Sequence, residues 1–134
     1  MAAELEGQLP IASEQDIVVA RQQVRTLCQT LKFSLVDQTK MVTAASELAR
    51  NALIYGRGGT MHWEFVQREI YRGLKLLFAD EGPGIPNIDL AMTDGWTSGN
   101  GLGMGLTGAK RLVNEFDLDS KVGAGTRVTI TRWK

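Results

Sequence analysis

The chain has 134 residues, of which 43% are hydrophobic and 22% charged, and this length and composition predict one globular domain and exclude a disordered or fibrous protein. Lys plus Arg and Asp plus Glu each number 15, so the formal net charge is zero, which argues against a nucleic-acid-binding protein because such proteins carry a basic excess. The single cysteine, Cys28, excludes an internal disulfide, and the single histidine, His62, is too little for a zinc site.

The N-terminal part of the chain predicts a short lead-in followed by a helix. Residues 1–10 lack the basic start and apolar run of a signal peptide, and no apolar stretch is long enough to span a bilayer, so we expect a cytoplasmic protein. We expect these residues to be a frayed lead-in to a first strand near Ile11. From Asp16, apolar residues recur at three- and four-residue intervals, which predicts an amphipathic helix capped by Ser13 or Asp16. Cys28 falls within this pattern and is interpreted as a small core residue.

A second amphipathic helix is predicted from Ser34 or Asp37 to Tyr55. Glycines at positions 56, 58 and 59 follow it and are expected to end it, because glycine readily adopts the left-handed conformation that closes helices. Its apolar stripe consists of Met41, Ala45, Leu48, Ala52 and Tyr55.

The middle of the chain changes to the two-residue period that is typical of strands. Thr60–Gln67 and Leu74–Ala79 predict two strands, and the polar stretch Arg68–Gly73 between them predicts the turn of an antiparallel hairpin. Ile70 and Tyr71 could extend either strand.

The last third predicts a helix and a final strand. A loop from Asp80 leads through a glycine-dense segment to a helix over Leu106–Phe116, and a tight Gly123-Ala-Gly-Thr126 turn precedes a strand in which Val128 and Ile130 share one face. Helices combined with mostly antiparallel strands predict an α+β fold, a two-layer α/β sandwich with the helices on one face of the sheet.

Three short segments carry residue types that could serve chemistry, although each also has an ordinary structural explanation. In the first, Glu47 and Asn51 lie four residues apart and therefore project from one side of the second helix. A carboxylate can accept a proton or order a water, and an amide oxygen can ligate a hard cation such as Mg²⁺. In isolation, such a pair is more typical of a solvated helix face.

The second segment is Asp80-Glu-Gly-Pro-Gly-Ile-Pro86, which directly follows an apolar strand. The Asp80 carboxylate can accept hydrogen bonds from a ligand amine, Gly82 and Gly84 allow close approach of backbone and ligand, and two prolines stiffen the loop. An ordinary turn rich in glycine and proline has the same composition.

The third segment, Gly99-Asn-Gly-Leu-Gly-Met-Gly105, is part of a stretch from Gly95 to Gly108 that holds six of the 15 glycines. A backbone loop that ends at a helix N-terminus offers free N–H groups to phosphate, so phosphate binding is the candidate role and a mobile loop the alternative. The GxxxxGK[ST] spacing of a Walker loop is absent, and no β-α-β unit precedes the segment as a dinucleotide fingerprint requires.

Taken in this order and spacing, the segments resemble the ATP-binding fold shared by gyrase, the large heat-shock chaperone ATPases, histidine kinases and MutL, the GHKL or Bergerat-fold superfamily. Glu47–Asn51 is similar to its N box, Asp80-Glu-Gly-Pro-Gly84 to its first glycine box and Gly101-Leu-Gly-Met-Gly105 to its second. Gly123-Ala-Gly-Thr126 resembles its last nucleotide motif, so the resemblance spans residues 35–132.

The resemblance implies ATP and Mg²⁺ as cofactors and gives the matching residues roles. Asp80 would accept the adenine amino group, Thr126 would support that contact through a water, and Asn51 would ligate Mg²⁺. Glu47 would orient or deprotonate the attacking hydroxyl. The adenine pocket would be shaped by Gly82, Gly84 and Ile85, and the phosphates would be held by Gly101, Leu102, Gly103, Met104, Gly105 and Leu106. Further candidates for phosphate contacts are Arg57, Lys110 and Arg111.

Length then separates the branches of the superfamily. Gyrase, the chaperones and MutL have larger ATPase modules. A histidine kinase needs an upstream helical hairpin that carries the phospho-accepting histidine. The only histidine of this chain, His62, lies in a predicted strand after the N box and therefore cannot fill that role. The remaining group is the small stand-alone serine/threonine kinases that regulate sigma factors. Within that group the chain resembles the switch kinases of stressosomes, with Thr107 standing where a proline is expected.

For such a kinase, the resemblance implies a Ser or Thr of a STAS-domain antagonist or scaffold protein as phospho-acceptor and a PPM-type phosphatase as the partner activated afterwards. No nucleic acid or membrane is expected as a partner. Two alternatives stay open: an anti-sigma factor kinase that also binds sigma directly, and a catalytically silent, ATP-dependent binding module. The second alternative is disfavoured because a pure binder would not need the base Glu47.

Overall fold

The fold is one antiparallel sheet of five strands with helices packed against it. The computed structural model describes residues 6–85, 92 and 102–134, with only the backbone described at 102–104. The strand order is β1-β2-β3-β5-β4, which confirms the predicted α+β class. The bounds are β1 Glu6–Ile11, α1 Glu14–Thr30, α2 Leu35–Ile54, β2 Gly59–Arg68, β3 Tyr71–Asp80, α3 Leu102–Arg111, β4 Glu115–Lys121 and β5 Gly125–Trp133.

The two long helices begin at serine caps. The Ser13 hydroxyl accepts a hydrogen bond from Asp16 N at 3.2 Å, so α1 begins two residues before the predicted Asp16. The Ser34 hydroxyl accepts one from Asp37 N at 3.1 Å, which confirms the predicted start of α2. Each cap satisfies an N–H group that has no acceptor within its helix, and such a cap contributes about 1 kcal/mol.

One apolar core lies between the sheet and the helices. Alternate residues of the central strands point into it, among them Met61, Leu76 and Ile130, while Glu64 and Lys75 are exposed on the opposite face. Full burial of such a side chain contributes about 1.5–3 kcal/mol. Cys28 is fully buried, which confirms its predicted core position, and burial raises the pKa of its thiol to about 12. No helix in the described part of the chain is both long and apolar enough to cross a bilayer.

Pairing with neighbouring strands extends three of the predicted strands. Residues from Glu6 onward, expected to be frayed, pair with β2 along their whole length. The β2–β3 turn contains only Glu69 and Ile70 rather than six residues, with Glu69 in the left-handed region at a φ of 56°. These pairings are tertiary contacts, so the local sequence pattern does not contain them.

The prediction of a helix over Leu106–Phe116 was wrong at both ends. Helix α3 spans Leu102–Arg111, so it includes part of the glycine-dense segment. Phe116 belongs to β4, where Phe116 and Leu118 are half-buried while the acidic residues that alternate with them are exposed. Apolar residues at 106, 109, 112 and 116 fit a helical period as well, and the pairing of β4 with β5 decides in favour of the strand.

Candidate nucleotide-binding site

A cavity of about 220 Å³ opens between the C-terminal half of α2, the end of β3 and α3. Its volume is smaller than the roughly 300–1,000 Å³ of sites for drug-sized ligands, so the cavity can hold the base of a nucleotide rather than the whole molecule. The residues of the sequence prediction that line it are Asn51, Asp80, Gly84, Ile85, Leu106 and Thr126.

Asp80 is the last residue of β3 and offers hydrogen-bond acceptors to the cavity. Its Oδ1 atom accepts a hydrogen bond from Gly82 N at 2.9 Å. Burial raises the pKa of the Asp80 carboxyl above its ordinary value, while hydrogen bonds from the backbone N–H groups of Gly82 and Thr126 act in the opposite direction. A half-buried carboxylate of this kind can accept a hydrogen bond from an amino group of a ligand.

The loop after Asp80 needs its two glycines because backbone lies against both of them. A Cβ atom on Gly82 would lie 2.7 Å from Gly56 Cα, and one on Gly84 would lie 2.1 Å from the Lys121 carbonyl oxygen. Gly84 also has a φ of +79°, a conformation that side-chain-bearing residues rarely adopt. Gly82 does not itself line the cavity, so its close approach is to Gly56.

The same loop is bound to the β4–β5 hairpin. Gly123 N donates a hydrogen bond to the Pro83 carbonyl at 2.8 Å, and Ile85 N donates one to the Ser120 hydroxyl at 2.8 Å. These bonds fix the wall of the cavity that contains Gly84 and Ile85.

Asn51 and the second glycine box lie side by side where α2 meets α3. A Cβ atom on Gly105 would lie 3.0 Å from Asn51 Oδ1 and 3.1 Å from Nδ2. Nδ2 is buried without a hydrogen-bond partner among the described residues. An unpaired buried polar atom lowers the stability of the fold by about 1–3 kcal/mol. Because a flip of the side-chain amide exchanges its oxygen and nitrogen, Asn51 can offer either atom to a ligand.

The start of α3 is suited to bind an anion. An α-helix leaves its first four N–H groups without an acceptor in the helix and carries a partial positive charge there. In α3 these groups include those of Leu102, Gly103 and Met104. Gly101, also predicted to hold phosphate, lies outside the described residues.

The remaining predicted residues do not line this cavity. Glu47 is exposed on α2, one turn before Asn51. Arg57 is exposed, has a φ of 61° and lines a separate concavity of about 590 Å³ with Thr60 and Arg127. Lys110 and Arg111 are exposed in the last turn of α3.

Seven of the 13 lining residues were not predicted as site residues, among them Tyr55 and Gly56. Tyr55 was assigned only to the apolar stripe of α2, and Gly56 only to the end of that helix, yet both line the cavity. A Cβ atom on Gly56 would lie 2.3 Å from Asp80 Cγ, so this glycine leaves room for the carboxylate. A glycine after a helix is also the ordinary cap, and the sequence alone does not distinguish the two roles.

Residues 36–134 match the family described as histidine kinase-, DNA gyrase B- and HSP90-like ATPases. The chain belongs to this family. Membership of the GHKL superfamily was predicted from four motifs and is confirmed, and ATP binding follows from it.

Relatives within this broad family indicate which kind of enzyme the chain is. The chain is 46% identical over 123 residues to the serine/threonine-protein kinase RsbT of Bacillus subtilis, covering 92% of each. It is 31% identical over 126 residues to an anti-sigma F factor of Clostridium kluyveri, covering 91% of this chain and 89% of that protein. The chain is an RsbT-like serine/threonine-protein kinase of the GHKL family, and its relatives include regulators of sigma factors.

A solved structure has the same fold. The crystal structure of the RsbU and RsbW domains of a Mycobacterium tuberculosis protein superposes with a TM-score of 0.62, at 20% identity, over 96% of this chain and 33% of that one. At this identity the likeness concerns the fold of the GHKL domain alone.

Proposed function

We propose that this kinase transfers the γ-phosphoryl group of Mg·ATP to a Ser or Thr of STAS-domain proteins, an RsbS-like antagonist and an RsbR-like scaffold. After release it binds and activates an RsbU-like PPM-type phosphatase. The likeness to RsbT supports this choice of partners. The observation that carries the proposal is the convergence of Asp80, Thr126 and the unpaired amide of Asn51 on one cavity.

The adenine end of the nucleotide is assigned to Asp80 and Thr126. Both line the apolar part of the cavity together with Phe78, Ile85 and Val128. Apolar side chains can bury the faces of a purine, and the few polar groups among them fix its orientation. The Asp80 carboxylate would accept the exocyclic amino group of adenine.

The phosphate end is assigned to Asn51 and the start of α3. The residues present fit Mg·ATP because the buried Asn51 Nδ2 atom, which has no hydrogen-bond partner among the described residues, lies beside Gly105, where a side chain would fill the space. Asn51 would hold Mg²⁺, which offsets phosphate charge when bound. The free N–H groups of the first turn of α3 would hold phosphate oxygens.

Glu47 is assigned as the general base. It is exposed one turn from Asn51, where the hydroxyl of a partner protein can reach it. The hydroxyl oxygen forms a bond to the γ-phosphorus while the bond to the bridging oxygen of ADP breaks, and the Glu47 carboxylate takes the hydroxyl proton. A positioned base of this kind accelerates transfer by about 10²–10⁴.

The test separates binding from transfer with one substitution. Glu47→Ala is expected to leave the ATP affinity unchanged in calorimetry and to abolish transfer of labelled phosphate to an RsbS-like STAS-domain protein. Glu64→Ala, which removes an exposed carboxylate that does not line the nucleotide-binding cavity, serves as the matched control and retains transfer. Undiminished transfer by Glu47→Ala would remove this residue from the mechanism.

The anti-sigma alternative has one observation in its favour. The chain resembles an anti-sigma F factor at 31% identity over most of both chains. The identity to RsbT is higher, at 46% over a similar length, and supports the switch kinase over a kinase that binds sigma directly.

A further inference from the structure

Ser120 of β4 lies just outside the cavity and forms contacts with Ile85 and Thr126, which belong to two of its walls. Its hydroxyl oxygen lies 2.8 Å from Ile85 N, 3.1 Å from the Gly125 carbonyl oxygen and 2.8 Å from the Thr126 hydroxyl oxygen. Ser120 does not line the cavity itself, whereas Ile85 and Thr126 both do. Any effect of Ser120 on a ligand must therefore act through these two residues.

The three contacts can all be hydrogen bonds at the same time in only one arrangement of the hydrogens. The Ile85 N–H group can only donate, so the Ser120 oxygen accepts there, and the Gly125 carbonyl can only accept, so Ser120 gives it its single hydrogen. The remaining contact is a hydrogen bond only when Thr126 is the donor. In this arrangement the hydrogen of the Thr126 hydroxyl points to Ser120, and only lone pairs remain for the cavity.

In this arrangement the side chains of Asp80 and Thr126 offer the cavity hydrogen-bond acceptors only. Asp80 is paired with Thr126 across β3 and β5, and its carboxylate also offers lone pairs alone. Where Thr126 contacts the base directly, rather than through the water that the resemblance implies, a base edge with an amino group supplies hydrogens to both acceptors. A base with a carbonyl oxygen at the same position would place an acceptor against acceptors, and an unmatched buried polar group is costly.

We propose that Ser120 is a positioning residue that sets the base specificity of the kinase. By holding the Thr126 hydroxyl as an acceptor and the backbone of Ile85 in place, it makes the site prefer a 6-amino purine over a 6-oxo purine. The inference rests on the proposed function, because it assigns the base to this cavity.

The test compares ATP with inosine triphosphate, which carries a carbonyl oxygen in place of the amino group and a hydrogen on the adjacent ring nitrogen. Both dissociation constants are measured by calorimetry at equal Mg²⁺ for the unmodified chain, Ser120→Ala and Ser120→Thr. In Ser120→Ala the Thr126 hydroxyl can turn and donate to the carbonyl, so the Kd ratio of inosine triphosphate to ATP falls by about fivefold or more. Ser120→Thr keeps a hydroxyl and keeps the ratio.

A coupled pair of variants distinguishes this role from a structural one. Thr126→Val lowers the ratio by itself, and adding Ser120→Ala to Thr126→Val lowers it no further, because the effect passes through Thr126. General loosening of the loop weakens both nucleotides alike and cancels in the ratio. An unchanged ratio in Ser120→Ala, or in Thr126→Val should Ser120→Ala not fold, overturns the inference.

Failure of the proposed function gives a different result. If the cavity is not the adenine site, Asp80→Asn leaves ATP binding unchanged, and the inference about Ser120 fails with it. If Asp80→Asn weakens ATP binding while Ser120→Ala leaves the ratio unchanged, only the inference about Ser120 fails.

Discussion

At the scale of single residues, the site depends on small residues that leave space for polar ones. Gly56 packs on the Asp80 carboxylate and Gly105 packs on the Asn51 amide, each at a distance that excludes a Cβ atom or forces a neighbour to move. The absence of a side chain at these two positions keeps both polar groups where the cavity needs them.

Gly56→Ala is expected to displace the Asp80 carboxylate, because the new Cβ atom would lie 2.3 Å from Asp80 Cγ. We expect the ATP affinity in calorimetry to fall by at least about tenfold, on the order of 1.4 kcal/mol. Gly108→Ala is the control, since nothing lies within 4 Å of its added Cβ atom. This helical position should gain about 0.5–1 kcal/mol of stability in thermal unfolding with ATP binding retained. Equal ATP affinities of the two variants would contradict the role given to Gly56.

At the scale of elements, an ion pair joins the start of α2 to the last strand. Arg132 Nη2 donates to Asp37 Oδ1 at 2.5 Å, and Nη1 donates to the Leu112 carbonyl at 2.8 Å. Both side chains are largely covered, with 14% and 28% of their surfaces exposed. The hydrogen bond from Arg132 holds the pKa of the Asp37 carboxyl below its ordinary value.

Asp37→Asn is expected to destabilise the fold by about 1–3 kcal/mol at neutral pH, because it leaves a mostly covered guanidinium without its counter-ion. Since the folded-state pKa is lowered, this contribution is present above the ordinary aspartate pKa and is lost as the pH falls through the folded-state value. Urea unfolding at several pH values measures both effects. Asp117→Asn, at an exposed position of β4, is the control. If Asp37→Asn and the unmodified chain had the same urea midpoint at neutral pH, the ion pair between Asp37 and Arg132 would not stabilise the fold.

The elements that the sequence predicted well are those with local signals. Ser13 was among the proposed caps of α1 and Ser34 among the proposed starts of α2, and the alternation from Thr60 onward was enough for the β2–β3 hairpin. The first two residues of β4, Glu115 and Phe116, were assigned to a helix because Phe116 also fits a helical period, and only pairing with β5 separates the two.

Dependence on contacts between residues distant in sequence also limits the prediction of the site. Asn51, Asp80 and Thr126 lie in motifs and could be named before the fold was known. Gly56 and Ser120 act through residues that are distant in sequence, 24 positions from Asp80 and 35 from Ile85. Their roles arise only when β3, β4 and β5 pair.

At the scale of the whole molecule, the site is formed where the helical layer meets one end of the sheet. Helix α2 supplies Asn51 and the exposed Glu47, the sheet supplies Asp80 and Thr126, and α3 supplies free N–H groups. We propose that a kinase with this arrangement holds its nucleotide among these residues and takes the phospho-acceptor from a partner protein.

The most direct test of this account is a crystal structure of the chain with Mg²⁺ and a non-hydrolysable ATP analogue. We expect the adenine amino nitrogen within about 3.2 Å of the Asp80 carboxylate and the phosphates between Asn51 and the first turn of α3. A nucleotide bound elsewhere, for example in the concavity beside Arg57 and Arg127, would contradict it.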